Sequence, residues 1–161
     1  MAKSGVKKTN VLRLLDAEGI QYTVKEYPVD ESDLSALHAA EKLGMPPERV
    51  FKTLVLQGSS GSYWVCCIPA GEELNLKKTA RAAGEKNTAL IPIKDLEPLT
   101  GYIRGGCSPI GMKKKFPTLI DESAELFETI GVSAGIRGMQ IILRPGDLIR
   151  FIGAFTADLT G

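Results

Sequence analysis

Val50-Phe51-Lys52-Thr53-Leu54-Val55-Leu56, followed after the turn Gly58-Ser59-Ser60-Gly61 by Tyr63-Trp64-Val65-Cys66-Cys67-Ile68 and Pro69, decides the architecture of this chain. Both runs are short and rich in β-branched and aromatic residues, and turn-forming residues separate them, so they predict a β-hairpin. Strand periodicity puts Val50, Lys52, Leu54 and Leu56 on one face and Phe51, Thr53 and Val55 on the other. A strand apolar on both faces belongs inside a sheet, and the hairpin is expected at its centre. Lys52 is the exception in that pattern. A charge on an interior strand must run its stem out to water, meet a carboxylate, or reach into a cavity. The residues alone leave a solvated head and an anion-holding ammonium equally open.

Before the hairpin, apolar spacing predicts a helix over residues 9–18, capped by Thr9 or Asn10 and stopped at Gly19. A strand over residues 20–27 follows, near an edge and ended by Pro28. Ser32 or Asp33 is expected to cap a second helix carrying Leu34, Leu37, Ala40 and Leu43, with Gly44 as its stop. His38, the only histidine, has no visible partner there and gains no catalytic role. After the hairpin, Asn75 caps a helix over 76–83, a strand covers 88–91, and Pro98 cuts a helical turn over 94–99. Strands at 118–121, 127–132 and 139–143 and a short helix at 148–152 complete the chain. This order lacks regular βαβα alternation and fits an α+β domain with a mixed, curved sheet and peripheral helices. Residues 1–161 are expected to form one domain, with residues 1–8 as a loose tail.

Composition narrows the function. The chain has 161 residues, 43% of them hydrophobic, and a net charge of +1. No apolar run approaches a membrane span, and the basic N-terminus lacks the apolar core of a secretory signal, so a cytoplasmic protein is expected. Cys66, Cys67 and Cys107 make no disulfide framework or metal spacing, and neither cofactor nor metal is expected. The balanced charge argues against bulk electrostatic binding to DNA, leaving Lys77-Lys78 with Arg81, and Lys113-Lys114-Lys115, as local patches or solvated faces.

Thr100-Gly101-Tyr102-Ile103-Arg104-Gly105-Gly106-Cys107-Ser108-Pro109-Ile110-Gly111 holds four glycines and a proline in twelve residues. It predicts a shaped loop whose backbone can approach a ligand closely.

Taken in register, Val50 to Leu54, Asn75-Leu76-Lys77-Lys78, the Gly101 to Gly111 stretch and Ser133-Ala134-Gly135-Ile136-Arg137-Gly138 resemble the YbaK/EbsC family. These are Cys-tRNA(Pro) deacylases related to the editing domain of bacterial prolyl-tRNA synthetase, and the resemblance spans residues 10–158. It implies a mixed, partly open β-barrel with flanking helices and a pocket for the aminoacylated 3′-terminal adenosine of tRNA. On that resemblance Lys52, Gly105 and Gly106 are the catalytic candidates, Lys52 by its charge and the glycines through backbone N–H groups. Tyr27, Thr53, Ser108, Pro109, Ser133 and Gln140 are the substrate-binding candidates. Gln140 stands where an aspartate is expected, and Ala134-Gly135-Ile136-Arg137 where relatives read Gly-Gly-Lys-Arg; a neutral amide holds an ammonium less well than a carboxylate does.

The family chemistry lets the substrate's own cysteine thiol attack its ester, so the enzyme would class as a hydrolase or a lyase and needs no protein nucleophile. Cys107 is the rival nucleophile, but no histidine lies near it in sequence, and catalysis by placement is preferred. The expected partner is the aminoacylated 3′ end of tRNA, with prolyl-tRNA synthetase a candidate second partner. Deacylation of another aminoacyl-tRNA such as Ala-tRNA(Pro), or tRNA or nucleotide binding without catalysis, are the alternatives.

Overall fold

The computed structural model describes residues 8–161. Of the expected tail, residues 1–7 lie outside the described residues, and Lys8 is held in an ion pair with Asp16 at 2.7 Å. Among the described residues the strands are β1 (Thr23–Glu26), β2 (Phe51–Gly58), β3 (Tyr63–Pro69), β4 (Thr88–Leu90), β5 (Thr118–Asp121), β6 (Ile130–Ser133), β7 (Met139–Leu143) and β8 (Phe155–Ala157). The α-helices are α1 (Asn10–Glu18), α2 (Ala36–Leu43), α3 (Leu76–Ala83), α4 (Leu96–Thr100) and α5 (Pro145–Ile152). None of these helices is long and apolar enough to cross a membrane.

The strands form two sheets, ordered β4-β2-β3-β5-β8 and β1-β7-β6. The β2–β3 hairpin is antiparallel and central to the larger sheet, while β5 and β8 join it in parallel, so that sheet is mixed. A single parallel bridge between Val50 and Gly131 links the two sheets. Among the described residues the two sheets do not close into a barrel, and β1 lies at an edge as its polar alternation suggests.

Alternation along the hairpin distributes its side chains between two cores. Phe51 and Cys67 enter one cluster with Val11, Leu12 and Leu15 of α1 and with Ile130, Val132 and Ile141 of the small sheet. Leu56, Cys66 and Ile68 enter another with Leu119 and Leu159. Each fully buried leucine in these clusters contributes roughly 1.5–3 kcal/mol. The adjacent cysteines therefore serve opposite faces of one strand.

Local signals set most helix ends. Thr9 accepts from the Leu12 N–H and Asn75 from the Lys78 N–H, while Gly19 and Gly84 close their helices in the left-handed region. Helix α2 begins later than expected, with Ser35 as its cap. The Asp30 carboxylate accepts from the Ser32 N–H, and Asp33 accepts from the Ser35 N–H and hydroxyl, so both acids are spent in turns. Ser35 is then left to accept from the His38 N–H. This leaves Leu34 outside the helix and Leu37 exposed.

Three further differences have local causes. Residues 122–126 form a 3₁₀ turn, so β6 starts at Ile130 and not at 127. Pro98 lies in the first turn of α4, where its missing N–H has no intrahelical partner to lose, and so it does not cut the helix. Strand β8 is only three residues long and mostly exposed, giving little alternation to read, yet it docks against β5. Lys78 Nζ binds Asp158 at 2.8 Å and the Thr160 carbonyl at 2.7 Å, tying this end down and removing one charge from the first basic patch.

Candidate functional site

A cavity of ≈ 490 Å³ opens between β2, the start of α2, the glycine loop and the paired strands β6 and β7. Of the residues singled out in the sequence, Tyr27, Lys52, Thr53, Gly105, Ser133 and Gln140 line it. They come from distant parts of the chain and meet because the Val50–Gly131 bridge brings β2 beside the small sheet.

Lys52 takes the third of its options: its stem leaves an interior strand and its head reaches the cavity. Nζ donates to the Ala70 carbonyl oxygen at 3.2 Å, and no carboxylate among the described residues is within ion-pairing distance. Burial holds its pKa below the ordinary 10.5, a shift opposed by the fields of Glu73 and Glu72.

Tyr27 is fixed through its backbone, whose N–H donates to the Gly138 carbonyl at 2.9 Å. Ser133 and Gln140 face each other across the β6–β7 pair. The Ser133 hydroxyl accepts from the Gly135 N–H, shaping the turn, whereas Gln140 Oε1 is buried with no hydrogen-bond partner among the described residues. A buried acceptor left open in a cavity wall is ready for a donor on a ligand.

The glycine loop is stitched to itself. The Tyr102 hydroxyl donates to the Ile110 carbonyl, the Thr100 hydroxyl accepts from the Tyr102 N–H, and the Lys113 N–H returns to the Thr100 carbonyl. Gly105 adopts φ +86°, which a residue with a Cβ rarely takes, and it lies at the cavity. Gly106 is turned the other way: its N–H donates to the Ile103 carbonyl at 3.0 Å, and a Cβ there would meet the Ile136–Arg137 backbone at 3.1 Å. Its expected role as an oxyanion donor does not fit that geometry. The Gly105 N–H has no acceptor among the described residues.

Ser108 and Pro109 also lie away from this cavity. Ser108 is fully buried and its hydroxyl accepts from the Ile110 N–H, while Pro109 lines a separate pocket beside Leu14 and Phe116. Both are loop-forming parts of the wall, one layer behind its surface. His38 is not among the lining residues; its Nδ1 lies 3.6 Å from Asp33.

Sequence patterning reads Leu34 and Leu37 only as part of a helix face, and it does not single out Leu90, Ile93 or Arg104 as cavity residues. The spacing of Leu34 and Leu37 points to a helix packed on a core and not to a pocket, whereas Arg104 adjoins Gly105 and is visible as the one charge within the glycine stretch. A larger groove of ≈ 710 Å³ lies between α1 and β1, but its Lys8, Asp16 and Tyr22 already satisfy one another.

Cys107 reaches the cavity as well, and burial pushes its thiol up to about 12, with a further rise from Cys67. A thiol that stays protonated at neutral pH is a poor nucleophile. Burial also pushes Cys67 up to about 12 and raises Cys66. At pH 8, all three cysteines should resist a soluble disulfide reagent in the native protein and react once it is unfolded; rapid native labelling of Cys107 would show an accessible thiolate. Because folding raises these pKa values, the stability they contribute is complete below the unfolded thiol value near 9 and declines as pH rises above it.

The family model described as "aminoacyl-tRNA editing domain" matches residues 31–151 of this chain. An Enterococcus faecalis protein with the provisional name Cys-tRNA(Pro)/Cys-tRNA(Cys) deacylase EbsC is 46% identical over 158 residues, covering 98% of this chain and 96% of that one. A solved structure described as a candidate trans-editing enzyme for prolyl-tRNA synthetase superposes with a TM-score of 0.81 at 25% identity, covering 95% and 98% of the two chains. A hypothetical protein of known structure shares the fold, with a TM-score of 0.86 at 22% identity over 95% of this chain and 100% of its own.

Proposed function

This chain belongs to the aminoacyl-tRNA editing domain family, and on that premise we propose that it is a trans-acting deacylase that removes cysteine from mischarged Cys-tRNA(Pro). The observation that carries this function is a single cavity holding the Lys52 ammonium and the Gly105 backbone, with no carboxylate among its lining residues and its one thiol held protonated. Such a site has little to offer as a nucleophile and much as a place for an activated ester.

In this mechanism the substrate's thiol sulfur attacks its own ester carbonyl. A C–S bond forms, the ester C–O bond breaks, and the proton lost by the thiol ends on the departing ribose oxygen. The protein holds the aminoacyl group near its attack geometry, and the Lys52 charge and Gly105 N–H stabilise the negative oxygen that develops. Thr53, Ser133, Tyr27 and Gln140 shape the chamber for the aminoacyl group, and Gln140 Oε1 is an open acceptor for its amine. Ser108, Pro109 and Gly106 contribute by building the loop. The protein acts as a single domain over residues 1–161, in the cytoplasm, with prolyl-tRNA synthetase as the partner that brings the tRNA.

A panel of Cys-, Ser- and Ala-tRNA(Pro) tests this function. Cysteine should be released at least about tenfold faster than serine, because the nearly isosteric hydroxyl is the weaker nucleophile. Equal rates for cysteine and serine would mean that water attacks, and alanine release above both would reassign the substrate.

A further inference from the structure

Two cations, Lys52 and Arg104, line the cavity, and no Asp or Glu does. Lys52 lies on an interior strand, whereas Arg104 is exposed on the glycine loop. Arg137, from the β6–β7 turn, is fastened beside it: its Nε donates to the Arg104 carbonyl oxygen at 2.8 Å, and its Cγ lies 3.5 Å from where a Cβ on Gly105 would stand. Neither arginine takes part in an ion pair among the described residues. A guanidinium has five N–H donors, so spending Nε on the backbone leaves the terminal nitrogens of Arg137 for another acceptor. In a chain of net charge +1, this is a local concentration of positive field and not a general basic excess.

We propose that Arg104 and Arg137 form a phosphate clamp that grips a phosphodiester of a single-stranded 3′ end, next to the nucleoside carrying the aminoacyl group. The strand's identity rests on the deacylase reading above; the anion-binding chemistry does not. Two guanidiniums suit this ligand because each presents a planar fork to two phosphate oxygens, which a lysine cannot do. Tethering Arg137 to the Arg104 backbone presets the spacing of the pair and limits the ordering cost of capture. It also separates duties: the arginines hold the strand, and Lys52 remains free for the ester.

The test compares wild type with Arg104→Gln/Arg137→Gln on aminoacylated tRNA and on aminoacyl-adenosine, which has no phosphate. On tRNA, kcat/KM should fall about a hundredfold, mainly through KM, with a loss at least about tenfold smaller on aminoacyl-adenosine. The slope of log kcat/KM against log salt should shrink by about 0.7 for each arginine removed. Arg104→Lys/Arg137→Lys should recover the slope and part of the affinity. Equal losses on both substrates would reduce the pair to a prop for the loop, and an undiminished rate on tRNA, or no recovery with lysine, would overturn the clamp.

Direct titration with the trinucleotide CpCpA, which carries phosphodiesters but no aminoacyl group, separates this proposal from the activity. If wild type hydrolyses neither substrate, the deacylase reading fails, yet weaker trinucleotide binding by the glutamine double variant still upholds the clamp and unchanged binding rejects it. Inorganic phosphate that displaces the trinucleotide as effectively as free trinucleotide does would assign the site to free anions and overturn the strand.

Discussion

Lys52→Ala is expected to lower kcat/KM for Cys-tRNA(Pro) deacylation about a hundred- to a thousandfold, the usual loss when a preorganised charge is removed from a developing oxyanion. The same substitution should leave stability unchanged or slightly higher. The lysine is partly buried without a carboxylate and its pKa is depressed by that burial, so the fold gains little from the charge. Activity lost while the denaturation midpoint is kept distinguishes a functional charge from a structural one, and near-wild-type cysteine release would remove Lys52 from the mechanism. The advantage of wild type over the variant should also fade as pH rises, because the ammonium deprotonates. Since burial lowers the Lys52 pKa, the midpoint of that loss should lie below 10.5.

Gly106→Ala is the second large effect. Its Cβ would stand 3.1 Å from Arg137 N and Ile136 C and 3.2 Å from Ile136 Cα, all of them backbone atoms that no rotamer change can move. The cost of about 1–3 kcal/mol should lower the melting temperature by several degrees and push the glycine loop off the 134–138 turn. Deacylation should fall at least about tenfold, because that displacement carries Gly105 away from the ester. The neighbouring Gly105→Ala fails chiefly for another reason: its φ of +86° strains any residue with a Cβ, and that Cβ would also stand 3.3 Å from the Leu34 Cβ. Calorimetry with single-turnover assays checks both, and a Gly106→Ala protein of wild-type stability and rate would contradict the packing described.

The hairpin, most helix caps and the anomaly at Lys52 are legible because each rests on local chemistry: alternation, cap hydroxyls, and a charge on an apolar strand. The start of α2 departs from its expected place because Asp30 and Asp33 each close a turn on the N–H two residues on, leaving Ser35 to accept from the His38 N–H as the cap, an outcome of side-chain geometry and not of spacing. Strand β8 is invisible in the sequence because its partner β5 lies more than thirty residues away and supplies the ordering that its own residues lack. In the site, loop residues are the hardest to place. Gly105 and Gly106 look alike in sequence, yet one borders the cavity and the other packs against a neighbouring turn, a difference set by long-range contact.

The Tyr102 hydroxyl that straps the glycine loop to Ile110 has a consequence for how errors are recognised. A wall already stitched to itself by these hydrogen bonds is preformed, an arrangement that favours discrimination by chemistry over discrimination by induced closure. In such a chamber the nearly isosteric cysteine and serine should bind with similar affinity while only cysteine is released rapidly, which comparison of KM and kcat for the two esters checks. Under the proposed mechanism selection then falls to the guest: the amino acid able to attack its own ester is cleared, and the one that cannot departs intact.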